Sequence, residues 1–260
     1  VSEYPTSIGR SDANSITVLG HDLAGELMGQ VGFGELAFWL VAKRRPDAGE
    51  LRVFEAVLVA LADHGLTPSA IAARLTLTGA PESLQGALAA GLLGGGSRFL
   101  GTTEDCGRML SDALASCQNA MPASDAEYDA LATRIVTAAR DARRRLPGLG
   151  HPIHKSVDPR TPVIITLARD SGTYGAHLQL FEAIGRVHSA ILDRALPLNG
   201  AGTCGAALAD LGFPVHTLRG FALLARTAGL LGHLAEEQDQ PIGPAVYDHV
   251  DRASADPTDA

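Results

Sequence analysis

The stretch from Thr217 to Glu237 reads as one long helix, apolar on nearly all faces and broken before Pro241. A helix of that kind is stable only when other elements surround it. It carries Arg226 within FALLARTAGLLGHL, where every neighbour for a full turn is apolar or small. The chain therefore has to build a helical core around this segment and find an anion, or several acceptors, for a buried guanidinium. Composition agrees with a packed molecule: apolar residues make up 46% and charged residues 19%, below the roughly 25% of an average soluble domain. The apolar surplus predicts a buried subunit interface as well as a core, built from the helices between Ala48 and Leu93.

The rest of the chain is mostly helical in period. RSDANS reads as a turn ahead of a strand at Ser15 to Gly20, which makes a short N-terminal β-hairpin. Beyond His21 and Asp22, LAGELMGQ and then ELAFWLVAKRR have helical spacing up to Pro46, and a further helix runs from Ala48 to Asp63. Pro68-Ser69 starts another, and Pro81 opens one that ends at Gly94-Gly95-Gly96. Helical period returns at Thr103 to Asn119, Ser124 to Arg145, Thr161 to Ala168, Ala176 to Leu192 and Gly205 to Leu211, and the residues after Val250 read as loose. The expected class is all-α.

A net charge of -8 with one dense basic run, Arg140 to Arg145, argues against nucleic-acid binding. The run fits the basic C-terminal turn of a helix, or a landing patch for the phosphates of a coenzyme. Cys106, Cys117 and Cys204 lack CxxC or Cys/His spacing, so neither a disulfide framework nor a metal site is expected. No stretch reaches the roughly 18 uninterrupted apolar residues of a membrane span. The chain reads as soluble and cytoplasmic, without a membrane partner.

Three motifs carry the chemistry. His64 ends an apolar helix in LADHGLTPS, at a corner whose next helix offers orphan amide donors to an anion; the alternative is a satisfied structural histidine. GLGHPIHKSVDPR supplies His151, His154, Lys155 and Arg160 on a loop whose Gly148 and Gly150 allow close backbone approach. It is either an anion-recognition loop, in which arginine grips a carboxylate through paired hydrogen bonds, or a structural turn with a basic rim. Arg226 binds a substrate carboxylate or makes an internal ion pair, and His233 on the same helix reads as a packed core histidine. GLLGGGSRFLG reads as close helix packing, a flexible hinge or a phosphate cradle, and LPLNGAGTCG, with Asn199, as a tight active-site turn or a helix entry.

In this order the motifs resemble the citrate synthase superfamily, specifically its citryl-CoA lyase branch. The resemblance runs from about Ile16 to Tyr247: VALADHGLTPSA, GLLGGGSRFLG, GLGHPIHKSVDPR, NGAGTCGAALADLGFP and ARTAGLLGH each correspond to a family signature. It implies a large helical domain from 1–95 and 221–260, a smaller helical lid from 96–220, and a homodimer. It also implies coenzyme A as thioester substrate or product. His64 and His151 fall on catalytic positions, Arg160, Arg226 and Asn199 on substrate-binding ones, and Gly150, His154 and Lys155 on the coenzyme A loop; no metal is expected. Two departures stand out. Gly94 occupies the place of a synthase histidine, which favours lyase over synthase, and Ala201 occupies the place of the family's catalytic aspartate. A second substrate arginine is also missing from PIGPAVY.

The activity expected from the resemblance is retro-aldol cleavage of citryl-CoA, or a related 3-hydroxy-3-carboxyacyl-CoA, to acetyl-CoA and a 2-oxo acid such as oxaloacetate. The alternatives are decarboxylation or hydrolysis of another CoA thioester, and a catalytically silent protein that binds CoA thioesters or citrate.

Overall fold

In the computed structural model, which describes residues 4–118 and 120–254, the chain is all-α apart from a small N-terminal sheet. Strands β1 (Gly9–Ser11), β2 (Ile16–Val18) and β3 (His21–Asp22) pair antiparallel in that order, with Gly9 opposite Val18 and Thr17 opposite Asp22. Asp12 closes the first turn by accepting the N–H groups of Asn14 (2.8 Å) and Ser15 (2.9 Å). The expected hairpin gains its third strand because Leu19 (φ 52) and Gly20 (φ 84) both take the left-handed region, the geometry of a tight hairpin turn.

The helices are α1 (Phe33–Ala42), α2 (Ala48–Ala62), α3 (Pro68–Gly79), α4 (Leu84–Gly95), α5 (Thr102–Ala115), α6 (Asp125–Asp141), α7 (Arg160–Asp170), α8 (Ala176–Leu192), α9 (Gly200–Asp210), α10 (Leu218–Asp239) and α11 (Gly243–Ala253). Local chemistry sets the starts. Asp47 and Glu50 form a reciprocal capping box for α2, while Thr67 caps α3 with Pro68 just inside.

Several boundaries differ from the sequence reading. LAGELMGQ forms only a single π-turn, Leu23–Leu27, capped by the Asp22 carboxylate on the Gly25 N–H, because the chain turns off at Met28 in extended backbone and at Gly29 with φ 76. Pro81 lies in the turn before α4, which starts after the Ser83 cap. Helix α6 stops at Asp141 and Arg143 takes φ 51, so Arg143 to Arg145 stand beyond the last turn rather than in it. Helix α5 ends at Ala115, and Asn119 lies outside the described residues. Helix α9 begins five residues before the expected Gly205, at an Asn199 cap. The segment expected to be loose after Val250 instead completes α11 through Ala253, and 255–260 lie outside the described residues.

Two buried clusters hold the helices together. The larger gathers Phe38, Phe54, Phe213 and Phe221 with the buried faces of α5 to α9, and ring centroids of Phe38 and Phe213 stand 4.7 Å apart, within the range of favourable aromatic pairs. The smaller joins Ala70, Ala73 and Leu77 of α3 and Ala87 of α4 to Leu230 and Leu234 of α10. Helix α10 thus belongs to both: Leu218, Phe221, Ala222 and Ala225 pack into one, Leu230 and Leu234 into the other. Arg226 falls at the junction. No helix among the described residues is long and apolar enough to cross a membrane.

Candidate active site

The three sequence motifs converge. His64 follows the end of α2, where Asp63 takes extended backbone and its carboxylate accepts the Gly65 N–H (2.8 Å), fixing the corner that leads to the Thr67 cap. The GLGHPIHKSVDPR loop returns to the same place. Its Gly148 has φ +85, and a side chain there would come within 2.7 Å of the Phe181 ring, so only glycine lets the loop lie against the core. The backbone is then stitched to the segment before α9: Gly150 N–H to Pro197 O (2.7 Å), Asn199 N–H to Gly148 O (2.8 Å), and Asn199 Nδ2 to Gly150 O (2.8 Å).

These constraints bring three imidazoles together. Ring centroids lie 5.2 Å apart for His64 and His151, 4.4 Å for the stacked His151 and His154, and 6.1 Å for His64 and His154. His151 Nδ1 accepts two backbone N–H groups, from Ile153 (3.1 Å) and His154 (3.0 Å). Its lone pair is therefore occupied, and the neutral ring carries its proton on Nε2 as a donor. Burial lowers the His151 pKa, with neighbouring His154, His64 and Arg160 adding to burial and Asp158 opposing it. Burial likewise lowers His64, helped by the positive charges of Arg160 and Arg226. Both rings are thus biased to the neutral form.

Nitrogen atoms of His64, His151 and His154 lie within 4.8 Å of one another, a spacing that could collect a metal ion. The donor set fits one poorly. Binding a metal through His151 Nε2 would displace the proton there while Nδ1 is held as an acceptor, leaving an imidazolate with no base arranged to take its proton.

Arg160 opens α7 and is fixed by Asp158, whose side chain is fully buried. Its Nε and Nη2 donate to the two Asp158 oxygens (3.0 and 2.7 Å) and Nη1 donates to Ala60 O (3.2 Å), leaving one N–H on each terminal nitrogen for a ligand. Asp158 also accepts the Gly200 N–H at 2.7 Å. Burial alone would raise this carboxyl, but the Arg160 guanidinium and the N–H groups of Gly200 and Arg160 hold it well below the usual carboxylate range. A side chain at Gly200 would reach within 2.4 Å of Arg160 Nε, so the start of α9 can lie this close to the pair only as glycine.

Arg226 is 7% exposed, and its Nε and Nη1 have no hydrogen-bond partner among the described residues. Its nearest anion is Asp63 Oδ1, 3.6 Å from Nη1. Burial lowers its pKa, Asp63 opposes that, and the charge of Arg160 adds to the lowering.

The remaining sequence candidates have other partners. Asn199 caps α9 by accepting the Gly202 N–H (2.9 Å) while its amide holds Gly150 O, so it pins the loop to the helix start. Lys155 Nζ folds back onto Pro152 O (2.6 Å) at an exposed position. His233 is a connector: Nε2 meets Asp63 Oδ1 at 2.8 Å, and Nδ1 faces Arg74 Nη2 at 3.2 Å. Arg74 in turn pairs with Glu236 and with buried Glu237. Sequence reasoning gave no role to Asp158 or Asp63. The adjacent Arg160 and His64 were the only signals for either.

The family described as Citrate synthase, C-terminal domain, matches residues 12–244. Among curated proteins, a probable ATP-citrate synthase of Dictyostelium discoideum is 27% identical over 236 residues, covering 85% of this chain and 36% of its own length. The chain thus spans about a third of the length of the curated relatives it matches. Among solved structures, citryl-CoA lyase from Hydrogenobacter thermophilus superposes with a TM-score of 0.81 at 29% identity, over 92% of this chain and 88% of that one. ATP citrate lyase from Methanothrix soehngenii, in complex with citrate and coenzyme A, has a TM-score of 0.75 at 22% identity, over 92% of this chain and 39% of that one; at that identity it shares the fold.

Proposed function

The chain belongs to the citrate synthase C-terminal domain family, and from that premise we propose that it is a citryl-CoA lyase-like enzyme. It would cleave citryl-CoA or a related 3-hydroxy-3-carboxyacyl-CoA to acetyl-CoA and a 2-oxo acid. One observation carries this reading: Arg226 keeps two buried donors without a partner beside the His64–His151 cluster. A buried guanidinium left in that state is costly unless an anion arrives to complete it. A substrate carboxylate is such an anion, and the remaining N–H groups of Arg160 would complete the clamp. Likeness over nearly the full length of a citryl-CoA lyase supports the same substrate class.

In the cleavage, neutral His64 takes the hydroxyl proton of the substrate. The Nε2–H of His151 is the donor that polarises a carbonyl or stabilises the charge of the departing thioester enolate. Gly150 and Lys155, at the rim of the loop, hold coenzyme A as thioester, and Asn199 keeps that rim in register with α9. A homodimer would complete the functional unit. Release of oxaloacetate from citryl-CoA, followed in a coupled assay, tests the reading; no release from citryl-CoA or from a panel of 3-hydroxy-3-carboxyacyl-CoA thioesters would reject it.

A second reading is favoured by Ala201, in the first turn of α9. Without a carboxylate there, decarboxylation or hydrolysis of another CoA thioester would suffer less than aldol chemistry. Turnover of such thioesters without cleavage of citryl-CoA would select it. Thermal stabilisation by citrate or CoA thioesters with no turnover of any kind would select a binding protein.

A further inference from the structure

We propose that His154 is the catalytic residue that returns a proton to the carbon beside the thioester carbonyl after cleavage, in place of the carboxylate that Ala201 cannot supply. The assignment rests on the lyase reading. Retro-aldol cleavage leaves an enolate whose carbon must be protonated before acetyl-CoA can leave, and a positioned acid is needed for that.

The surrounding groups narrow the choice. Asp158 is held by Arg160 and the Gly200 N–H, and Asp63 by His233 and the Gly65 N–H. Lys155 turns its amine onto Pro152 O. His151 has its Nδ1 occupied and its Nε2 proton committed to the oxygen side of the thioester. The His154 ring makes no hydrogen bond among the described residues and is half-buried, stacked on His151 and edge-on to His64. Its place is set by the same contact that orients His151, because the His154 N–H is one of the two donors to His151 Nδ1. Ring nitrogens of all three histidines lie within 4.8 Å, a gap that one bridging water spans.

The proton balance closes. His64 removes the hydroxyl proton. The carbon–carbon bond breaks with its electron pair passing to the carbon beside the thioester, and the hydroxyl oxygen becomes the carbonyl of the 2-oxo acid. His154 gives its N–H proton to the enolate carbon and accepts, on its other nitrogen, the proton held by His64. One proton has left oxygen and one has reached carbon; nothing is oxidised or reduced, and His154 ends in its other neutral tautomer.

The test compares wild type, His154→Gln and the double variant His154→Gln/Ala201→Asp on citryl-CoA in D2O, with mass analysis of acetyl-CoA and melting temperatures to confirm folding. A parallel measurement follows exchange of the acetyl-CoA methyl protons in the presence of oxaloacetate. Wild type should give acetyl-CoA carrying one deuterium. His154→Gln should lose about a hundredfold in kcat with little change in KM, and the same in methyl exchange, as removal of an acid does. The added aspartate should recover much of that loss in the double variant, which a merely structural role for His154 would not produce. Full activity in a folded His154→Gln, a loss confined to KM, or a folded double variant with no recovery would each overturn the proposal. If wild type exchanges the methyl protons without cleaving citryl-CoA, the lyase reading fails, and loss of exchange in His154→Gln still supports the proton role. If wild type neither cleaves nor exchanges, both are rejected.

Discussion

Arg226 Nη1 stands 3.6 Å from Asp63 Oδ1, too far for a hydrogen bond, so the guanidinium is buried beside a carboxylate that neutralises part of its charge without satisfying its donors. Asp63 cannot close the gap without loss elsewhere, because its oxygens already serve His233 Nε2 and the Gly65 N–H. The arrangement leaves buried Arg226 donors open, as the proposed carboxylate clamp requires.

Replacing Arg226 by Leu should therefore weaken substrate binding while leaving the fold intact. A hydrogen bond to a charged group is worth roughly 1.5 to 3 kcal/mol, so KM should rise at least about tenfold or turnover should vanish. Thermal melting should show a variant as stable as wild type or more so, since an incompletely partnered buried charge is replaced by an apolar side chain. A variant that fails to fold would identify the Asp63 contact as an internal ion pair.

Much of the helical frame was legible because its signals are local. The capping box at Asp47 and Glu50, the Thr67-Pro68 start of α3 and the apolar faces of α8 and α10 each act within one or two turns. Helix α11 was missed because Pro241, Gly243 and Pro244 read as a break and the polar residues after Val250 as a tail, although Val246, Tyr247 and Val250 follow helical spacing. The early start of α9 was missed for a different reason. Its glycines fit a tight turn as well as a helix entry, and the Arg160–Asp158 pair that needs Gly200 lies some forty residues away in sequence. At the site, the histidines and arginines were visible as costly residues in apolar surroundings. Asp158 was not, since a carboxylate in a polar loop reads as solvated until Arg160 folds over it.

Asp158→Asn should be the most destabilising single change at the site. Removing one partner of a buried pair costs about 3 to 5 kcal/mol, because it leaves the other charge uncompensated. The pH dependence follows from the sign of the shift. The folded-state carboxyl lies below its ordinary 3.8, so its contribution is fully present above that value and is lost as pH falls toward the folded-state pKa. Denaturant melts of wild type and Asp158→Asn should therefore differ by a constant amount from pH 7 to pH 5, with the difference narrowing below about pH 4. A gap that stays constant to pH 3 would contradict the pairing.

His64→Ala and His151→Ala should each lower the cleavage rate at least about a hundredfold, the usual size of a lost acid or base. Both rings have pKa values below the ordinary 6.5, through burial first and positive neighbours second, and the proposed roles use the neutral form in each case. The acid limb of kcat/KM should consequently lie below pH 6.5, and the rate should hold steady from there up to pH 8. An acid limb above that value, or full activity in both alanine variants on the true substrate, would refute these roles.

Large apolar side chains are exposed along α2, α3 and α4 and the corner between α2 and α3. Val59 in α2 is 77% exposed and Leu93 in α4 is 82% exposed, with Leu66, Leu75 and Leu84 also at the surface between them. Leu75 of α3 and Leu84 and Leu93 of α4 lie on two helices packed against each other, and residues of this kind are the raw material of an interface between subunits, whose central patch is apolar and close-packed. The smaller core, shared by α3, α4 and the second half of α10, lies under the α3 and α4 part of this surface, so a partner packed there would also steady the helix that carries Arg226. Sedimentation should give a species near twice the 27.0 kDa chain mass. Val59→Glu and Leu93→Glu together should shift it to monomer, and KM should rise with dissociation as α10 loses that support. A wild-type monomer at micromolar concentration would remove the interface, and a double variant that stays dimeric would move it to another face.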